Sequence, residues 1–382
     1  MRSLIFFLLL LITCFAPLSA RAAEPDTVNL AEPDSTRATE PDAVSVAEPV
    51  SARDAEPDAV MPPVRGRLVF YFENDLFYNT DKYYTNAVQF RYISSPLRSR
   101  SSESGLPGAL DGLDAESPTG VHPGKTQYNY SFGMGQAIYT PKDTASYDLQ
   151  RHDRPYAGYL YGFFALHAKQ HRIMDTAELS LGVVGPSALG EFAQNEVHRI
   201  RGFKTAKGWK HQLRDEPALM LSWSRHYRLN ADAGQAGWGW DVLPYHTLTA
   251  GNVLTQVAVG TEVRLGYNLP RDFSSSSIRP GSGVDAPSDN PAHRRKPGEW
   301  GWYLFAGTEG RAVAHNIFLD GNTWKSSHHI AKNPFVGDIN AGMAVLIGDV
   351  RVTYNHVYVT EEFKRQTGGG QNYGSISVTV PF

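Results

Sequence analysis

Hydrophobic and polar residues alternate along much of the chain after residue 66. In the last segment Ile376, Val378, Val380 and Phe382 are separated by serine, threonine and proline. Strict alternation is typical of β-strands, because successive side chains point to opposite faces of a sheet. The pattern predicts twelve strands: Arg67–Glu73, Asn86–Ile93, Gln127–Tyr139, Tyr156–Ala168, Thr176–Val184, Ala218–Arg228, Trp238–Thr249, Leu254–Asn268, Trp302–His315, Ile330–Leu346, Val350–Glu361 and Tyr373–Phe382.

The number and ends of these strands favour a membrane barrel. Twelve is an even number, as bacterial outer-membrane barrels require, and tyrosine and tryptophan cluster near segment ends as interfacial girdles do. A closing strand with a terminal phenylalanine resembles the signal that barrel-assembly machinery recognises, and here it would be Phe382. A soluble β-sandwich could also end this way. The predicted fold is all-β, a transmembrane antiparallel β-barrel of about twelve strands with an extracellular loop helix.

Two N-terminal segments precede the barrel domain of residues 66–382. Residues 1–22 combine Arg2, an apolar run and small residues, which predicts a secretory signal peptide. The only cysteine, Cys14, lies in that run, so the mature chain should have neither disulfides nor thiol chemistry. Residues 23–65 repeat Glu-Pro every eight residues with almost no large apolar side chains, which predicts a disordered acidic linker.

The charge is distributed unevenly along the chain. The formal net charge is −3, and residues 23–65 contain ten acidic residues against three arginines. The barrel domain is therefore close to neutral. It lacks the basic surface that nucleic-acid binding requires, so no nucleic-acid partner is expected.

An N-terminus that enters from the periplasm would place the odd-to-even connections outside the cell. Those connections are Leu76–Thr85, Thr140–Pro155, Pro186–Glu216 and Phe318–His328. Residues 94–126 and 270–299 would then be periplasmic, although both are longer than the usual periplasmic turns. Either a strand is miscounted or these connections are unusual insertions.

The candidate chemistry lies in the predicted outer connections. Asn74 and Asp75 end the first strand, and the hydroxyl of Thr85 follows ten residues later. A predicted helix over Ser187–Arg201 carries Gln194 and His198 four residues apart, so they share a helix face. The ordinary pKa of a histidine suits a general base near neutral pH.

Several runs together resemble the family of outer-membrane lipid A 3′-O-deacylases. The runs are Glu73-Asn74-Asp75-Leu76-Phe77, Thr80-Asp81-Lys82-Tyr83-Tyr84-Thr85-Asn86, Ile138-Tyr139-Thr140-Pro141, Asp153-Arg154-Pro155-Tyr156-Ala157-Gly158, Gly185–His198, Gly208–Pro217, Leu319-Asp320-Gly321-Asn322 and Thr360-Glu361-Glu362-Phe363. The resemblance covers residues 66–382. It implies a twelve-stranded barrel with a site between the outer wall and an extracellular helix, and calcium-dependent ester hydrolysis of lipid A.

The resemblance also implies roles for individual residues. His198 matches the base and Gln194 its neighbour on the helix. Asn74 and Asp75 match catalytic positions at the barrel rim, and Arg154 matches a basic residue near the substrate or oxyanion. Asn74 and Arg154 are thus also the expected substrate-binding residues.

Calcium is the expected metal because it prefers hard oxygen ligands. The expected ligands are Asp75, Thr85 and Glu216. The chain departs from the family here, because a carboxylate is expected soon after the helix histidine and Lys204 stands near that place. Glu216 is the next candidate carboxylate.

Two other functions fit part of the sequence. An outer-membrane phospholipase of another mechanism would share the barrel, but no serine lies in a nucleophile-elbow pattern. A porin or adhesin barrel would not need the polar motifs on one side. The expected setting is a monomer in the bacterial outer membrane, acting on lipopolysaccharide of the outer leaflet.

Overall fold

The computed structural model describes residues 64–78, 82–97, 126–170, 172–230, 237–273, 276–288, 295 and 298–382. The predicted signal peptide and nearly all of the predicted linker lie outside the described residues. So does most of the 94–126 connection.

The barrel domain is a closed barrel of twelve antiparallel strands. They are β1 (Arg67–Asn74), β2 (Tyr83–Ile93), β3 (Gln127–Thr140), β4 (Ala157–Lys169), β5 (Ile173–Val184), β6 (Glu216–Tyr227), β7 (Trp238–Gly251), β8 (Leu254–Tyr267), β9 (Trp300–Asn316), β10 (Phe335–Ile347), β11 (Val350–Val359) and β12 (Gln371–Pro381). Each strand pairs with its neighbours in sequence. The ring closes where β1 pairs with β12, from Arg67 opposite Pro381 to Asn74 opposite Gly374. The predicted fold class and strand number are confirmed.

The wall of the barrel follows the alternation of the sequence. In β8, Val257, Val259 and Leu265 are exposed on the outer face, whereas Ala258 and Arg264 are buried on the inner face. An apolar outer face with a polar interior is the arrangement of membrane barrels. At the C-terminus Phe382 is 70% exposed, and its backbone N–H donates to the Gly66 carbonyl over 2.9 Å.

We call the end of the barrel where β1 ends and β2 begins the upper end. All the odd-to-even connections lie there, so the structure gathers the predicted polar loops at one end. Strand β2 begins at Tyr83, three residues earlier than predicted, which places Thr85 in the wall. Strand β10 begins at Phe335 rather than Ile330.

The predicted helix is divided into two parts. A short 3-10 turn, Pro186–Ala188, precedes the α-helix α1, Gly190–Arg201. Leu189 separates them with a left-handed backbone, at φ 59°. A second helical turn, α2 (Ile317–Asp320), follows β9. None of the described helices is both long enough and apolar enough to cross a membrane.

Much of the described part of the long connection between β8 and β9 lies inside the barrel. We call its described residues 270–273 and 276–288 the lumen segment. Phe273 and Val284 pack in one apolar cluster with Val69 and Tyr71 of β1. The backbone N–H of Ile278 donates to Glu73 over 2.8 Å, farther up the same strand. With twelve strands present, this connection is an insertion and not a missed strand.

Buried ion pairs hold the lumen segment to the wall. Asp272 accepts from Arg264 Nη1 over 2.7 Å and also contacts Arg351. Arg279 reaches Asp338 of β10 over 3.2 Å. These side chains explain why the segment lacks a hydrophobic pattern, since charge pairing carries much of its attachment.

Candidate active site

The turn after β1 is closed by the two polar residues at the strand end. The Asn74 side-chain oxygen accepts the Leu76 N–H over 2.6 Å. One carboxylate oxygen of Asp75 accepts the Lys82 N–H, also over 2.6 Å. Both side chains are buried, Asp75 to 1% exposure. Because the Asn74 oxygen is engaged with the backbone, the –NH₂ end of the amide is left as the donor end.

Thr85 lies at an irregularity in the wall. The pairing of β2 with β3 shifts register between Tyr84 and Asn86, so Thr85 is an extra residue at a β-bulge. Its hydroxyl lies 2.8 Å from the hydroxyl of Thr140 at the end of β3. Alternation places Thr140 on the same face of β3 as Ile138, which packs outside the lumen against the connection that carries α1.

Helix α1 lies on the outer face of β3 and β4. At the closest contact, a β-carbon on Gly158 of β4 would be 3.0 Å from the Gly190 backbone nitrogen, so any larger residue would push the helix away. Gln136 of β3 donates to the Ala188 carbonyl over 2.6 Å, just before the helix. The close packing of Gly158 against Gly190 and the hydrogen bond from Gln136 therefore hold α1 against the wall.

The buried face of α1 carries the two predicted residues. Gly190, Gln194 and His198 recur every four residues and are the buried positions of this helix. Since Gly190 packs on β4, the same face of the helix turns Gln194 and His198 toward the wall. The prediction that they share a face agrees with this placement.

The ring of His198 is oriented by a backbone carbonyl. Its Nδ1 lies 2.6 Å from the Lys204 carbonyl oxygen. A carbonyl can only accept, so Nδ1 carries the hydrogen and Nε2 carries the lone pair in the neutral ring. The side chain is 4% exposed, and Phe203 contacts the ring edge-on.

Two further residues support this arrangement. Asn195 bonds both backbone groups of Ala206, donating to its carbonyl over 3.2 Å and accepting its N–H over 2.8 Å. This fixes the loop that presents the Lys204 carbonyl. Trp209, fully buried, donates from Nε1 to the Gln194 oxygen over 2.9 Å. Both residues stood in the quoted runs, but a role for them required knowing that the loop folds back on the helix.

Arg154 lies apart from the helix residues. Its guanidinium donates to Glu362 over 2.9 Å and lies 4.9 Å from the centre of the Tyr139 ring. Tyr139 faces the lumen, where it stacks on Phe318. The structure therefore directs Arg154 to the interior and joins it to the β11–β12 connection.

Glu216 also lies apart from Asn74, Asp75 and Thr85, because β6 is five strands away from β1 around the barrel. Its two oxygens accept from the Asn252 side chain over 3.0 Å, the Asn322 side chain over 3.1 Å and the Thr323 N–H over 2.9 Å. These partners tie three upper connections together. The exposed Lys204 side chain stands where the resemblance implied a carboxylate. Neither residue 216 nor residue 204 therefore supplies a second carboxylate beside Asp75 and Thr85.

The oxygen atoms at the rim are of the type that calcium prefers as ligands. The carboxylate of Asp75 and the hydroxyl of Thr85 are hard oxygen ligands, of which calcium takes about six to eight. Among the described residues no group of three or more His, Cys, Asp or Glu side chains could hold a metal. A calcium ion here would complete its shell from backbone, water or substrate oxygens.

Comparisons with known proteins agree with this architecture. The family model described as "Outer membrane protein LpxR" matches residues 42–382. The solved structure of LpxR from Salmonella typhimurium matches with a TM-score of 0.64 and 20% identity, covering 83% of this chain and 100% of that one.

Two autotransporter domains are more distant. The β-domain of the Bordetella autotransporter Brka has a TM-score of 0.37 and 10% identity, covering 84% of this chain and 100% of that one. The translocator domain of NalP from Neisseria meningitidis has a TM-score of 0.33 and 10% identity, covering 84% and 88%. No curated protein sequence matches. The match over residues 42–382 shows that the chain belongs to the LpxR family of outer membrane proteins.

Proposed function

We propose that this protein hydrolyses the 3′-linked O-acyl ester of lipid A in the outer leaflet of the outer membrane. Family membership and the resemblance in the upper connections support the substrate. The observation that carries the chemistry is the buried His198, turned toward the barrel wall with its Nδ1 hydrogen held by the Lys204 carbonyl.

In this proposal His198 is the general base. Nε2 takes a proton from water while the water oxygen attacks the ester carbonyl. The tetrahedral intermediate then collapses, the carbon–oxygen bond to the sugar breaks, and the imidazolium returns its proton to the departing sugar oxygen. The fatty acid and the sugar hydroxyl are the products.

The rim residues would bind the ester. The –NH₂ end of Asn74 can donate to the carbonyl oxygen as negative charge develops there. Asp75 and Thr85 would hold calcium, which when bound would stabilise that same charge. Gln194 would keep the helix face in place through Trp209. Arg154, paired with Glu362, would support the connections and not contact the substrate.

The proposed setting follows from the fold. The upper end would face outside the cell, so that lipid A of the outer leaflet reaches α1 and the part of the wall beside it. Phe382 remains the expected signal for the barrel-assembly machinery. We expect the protein to act as a monomer.

Mass spectrometry of lipid A tests the hydrolysis directly. Cells that produce the wild-type protein should contain lipid A lighter by one ester-linked acyl unit. The His198→Ala variant should leave lipid A unchanged at equal amounts of folded barrel. Arg199→Ala, a change at the neighbouring exposed position, should act like wild type. Full activity of His198→Ala would refute the proposed mechanism.

Chelation and inhibition separate the alternatives. Removing calcium should abolish hydrolysis, and added calcium should restore it. Hydrolysis that survives chelation but stops with a serine-directed inhibitor would support a phospholipase of another mechanism. The lumen segment occupies the barrel interior, so a wide porin-like conductance in planar bilayers is not expected.

A further inference from the structure

Two lysines meet at the upper end, beside the candidate active site. The Nζ atoms of Lys82 and Lys142 lie 3.4 Å and 3.9 Å from the point where a β-carbon of Gly368 would be. The two ammonium groups thus converge on one small volume from the β1–β2 and β3–β4 connections. The turn around Gly368, in the β11–β12 connection, forms its third side.

This volume is shaped by the backbone. Gly368 and Gly369 have left-handed φ angles of 87° and 75°, which glycine adopts without strain. A side chain at Gly368 would stand between the two ammonium groups, and its absence keeps the space open. The turn is also anchored, because the Thr367 carbonyl accepts from the Tyr83 hydroxyl over 2.9 Å and the Gly369 carbonyl accepts from Gln366 over 3.0 Å.

The lysine pair differs from many other described basic residues of the barrel in its partners. Among the described residues no carboxylate lies within 4.0 Å of either ammonium group, although twelve other basic residues of the barrel, counting His315, lie within that distance of a carboxylate. Lys142 Nζ is 3.4 Å from the Thr367 hydroxyl, and Lys82 Nζ lies 5.1 Å from the centre of the Tyr83 ring. Two converging cations and a hydroxyl are suited to an anion with several oxygens.

The pair is linked directly to the proposed site. The backbone N–H of Lys82 donates to Asp75, and the backbone N–H of Lys142 donates to Asp153 over 2.9 Å, next to Arg154. A ligand held by the two side chains would therefore lie beside the rim that is proposed to bind the ester. Lipid A carries phosphate groups on the same disaccharide that bears its acyl esters.

We propose that Lys82 and Lys142 form a phosphate-binding subsite that holds a sugar phosphate of the lipid substrate and thereby positions the ester. Two ammonium groups that both lie within 4 Å of one point can share one phosphate through charge-assisted hydrogen bonds to different oxygens. This inference rests on the proposed function for its substrate. The geometry of the lysine pair stands independently of it.

Paired kinetics test the subsite. The double variant Lys82→Gln/Lys142→Gln removes both charges and leaves the backbone bonds to Asp75 and Asp153 in place. We expect kcat/KM for the phosphorylated lipid to fall about 10- to 100-fold, mainly through KM. The same lipid without the phosphate nearest the ester should be cleaved equally by the variant and by wild type.

A matched control shows whether the loss of kcat/KM is specific to Lys82 and Lys142. Lys210→Gln/Lys325→Gln removes two exposed ammonium groups elsewhere at the upper end and should leave both rates within about twofold. An equal loss on both lipids, or the same loss in the control, would overturn the subsite.

Binding separates failure of the subsite from failure of the proposed function. In a His198→Ala background, detergent micelles containing the phosphorylated lipid should bind at least tenfold more tightly than micelles with the dephosphorylated lipid. The two lysine substitutions should remove that difference. If wild type cleaves neither lipid but the difference persists, the proposed function fails and the subsite stands.

Free phosphate provides the last arm of the test. If inorganic phosphate binds the wild type but not the double variant, while the two lipids bind equally, the site serves a soluble anion and the assignment to the lipid is overturned.

Discussion

The charged side chains of the lumen differ from Lys82 and Lys142 at the upper end in how they are partnered. Inside the barrel, Arg91 pairs with Glu178 over 2.9 Å, and Arg264 pairs with Asp241 and Asp272. At the upper surface, Lys82 and Lys142 have no carboxylate within 4.0 Å among the described residues. The ring of His198 is oriented by a backbone carbonyl.

This difference separates groups that maintain the fold from groups available to a ligand. A buried charge needs a partner because desolvation is costly, so each pair in the lumen satisfies a requirement of folding. A surface ammonium group remains hydrated, so the lack of a carboxylate partner costs little free energy. Two such groups that converge are therefore available to bind a ligand. Changes in the lumen should therefore alter stability, and changes near α1 and the rim should alter activity.

The largest effect is expected at Asp272. The substitution Asp272→Ala leaves the buried guanidinium groups of Arg264 and Arg351 without a shared carboxylate. We expect the free energy of unfolding to fall by about 3–5 kcal/mol. Denaturant titration of the detergent-folded protein measures it, with Asp349→Ala as the control. Asp349 meets Arg67 at a more exposed site, so that change should cost about 1 kcal/mol or less.

The pH dependence of stability provides a second measurement of the ion pairs that Asp272 makes with Arg264 and Arg351. Burial would raise the pKa of Asp272, but the guanidinium groups of Arg351 and Arg264 outweigh it and hold the pKa below its ordinary value. A lowered folded-state pKa stabilises the protein above the unfolded-state pKa, and the gain is lost as pH falls through the folded-state value. The difference in stability between wild type and Asp272→Ala should thus be constant from pH 5 to 7, within about 1 kcal/mol. A difference that vanished within that range would contradict the ion pairing.

The sequence could predict the wall of the barrel but not its contents. Alternation identified twelve strands because one face of each must be apolar, and four-residue spacing placed Gln194 and His198 together on one face of α1. The lumen segment has no such period. Its position depends on ion pairs such as Asp272 with Arg351, which are far apart in sequence and invisible to any local pattern.

The same limit applies to the candidate site. Thr85 was expected in a loop, and its place in the wall depends on a bulge that alternation alone does not reveal. Arg154 and Glu216 lie in or next to connections without periodicity, so nothing local indicates which way their side chains point. Their partners, Glu362 for Arg154 and Asn252 and Asn322 for Glu216, come from distant connections.

An intermediate effect is expected at Asn195, which we assign as a positioning residue. Asn195→Ala removes both bonds to Ala206 and frees the loop that presents the Lys204 carbonyl to His198. We expect kcat on lipid A to fall about tenfold or more, with KM nearly unchanged, because misorientation of the base affects the reaction and not binding. Steady-state kinetics on purified protein measure the two constants.

Two variants distinguish positioning from general damage. Asn195→Asp keeps an acceptor for the Ala206 N–H and should recover part of kcat. Glu196→Ala, at the adjacent position where Glu196 pairs with the exposed Arg199, should leave kcat unchanged. If Asn195→Ala raised KM as much as it lowered kcat, Asn195 would shape the binding surface instead.

The smallest effect is expected at Trp209. Trp209→Phe removes the Nε1–H that donates to Gln194, and keeps an aromatic ring beside Tyr156. One neutral hydrogen bond contributes about 0.5–1.5 kcal/mol, so kcat should fall roughly two- to tenfold. Trp300→Phe, the same change on the exposed outer wall far from α1, should alter neither activity nor stability. Because Trp209 lies between the helix and the wall, its variant also tests the distinction between residues that maintain the fold and residues that serve the ligand. A loss confined to activity would place Trp209 with the residues that serve the ligand. A loss of stability greater than the loss of activity would place it with the buried ion pairs of the lumen.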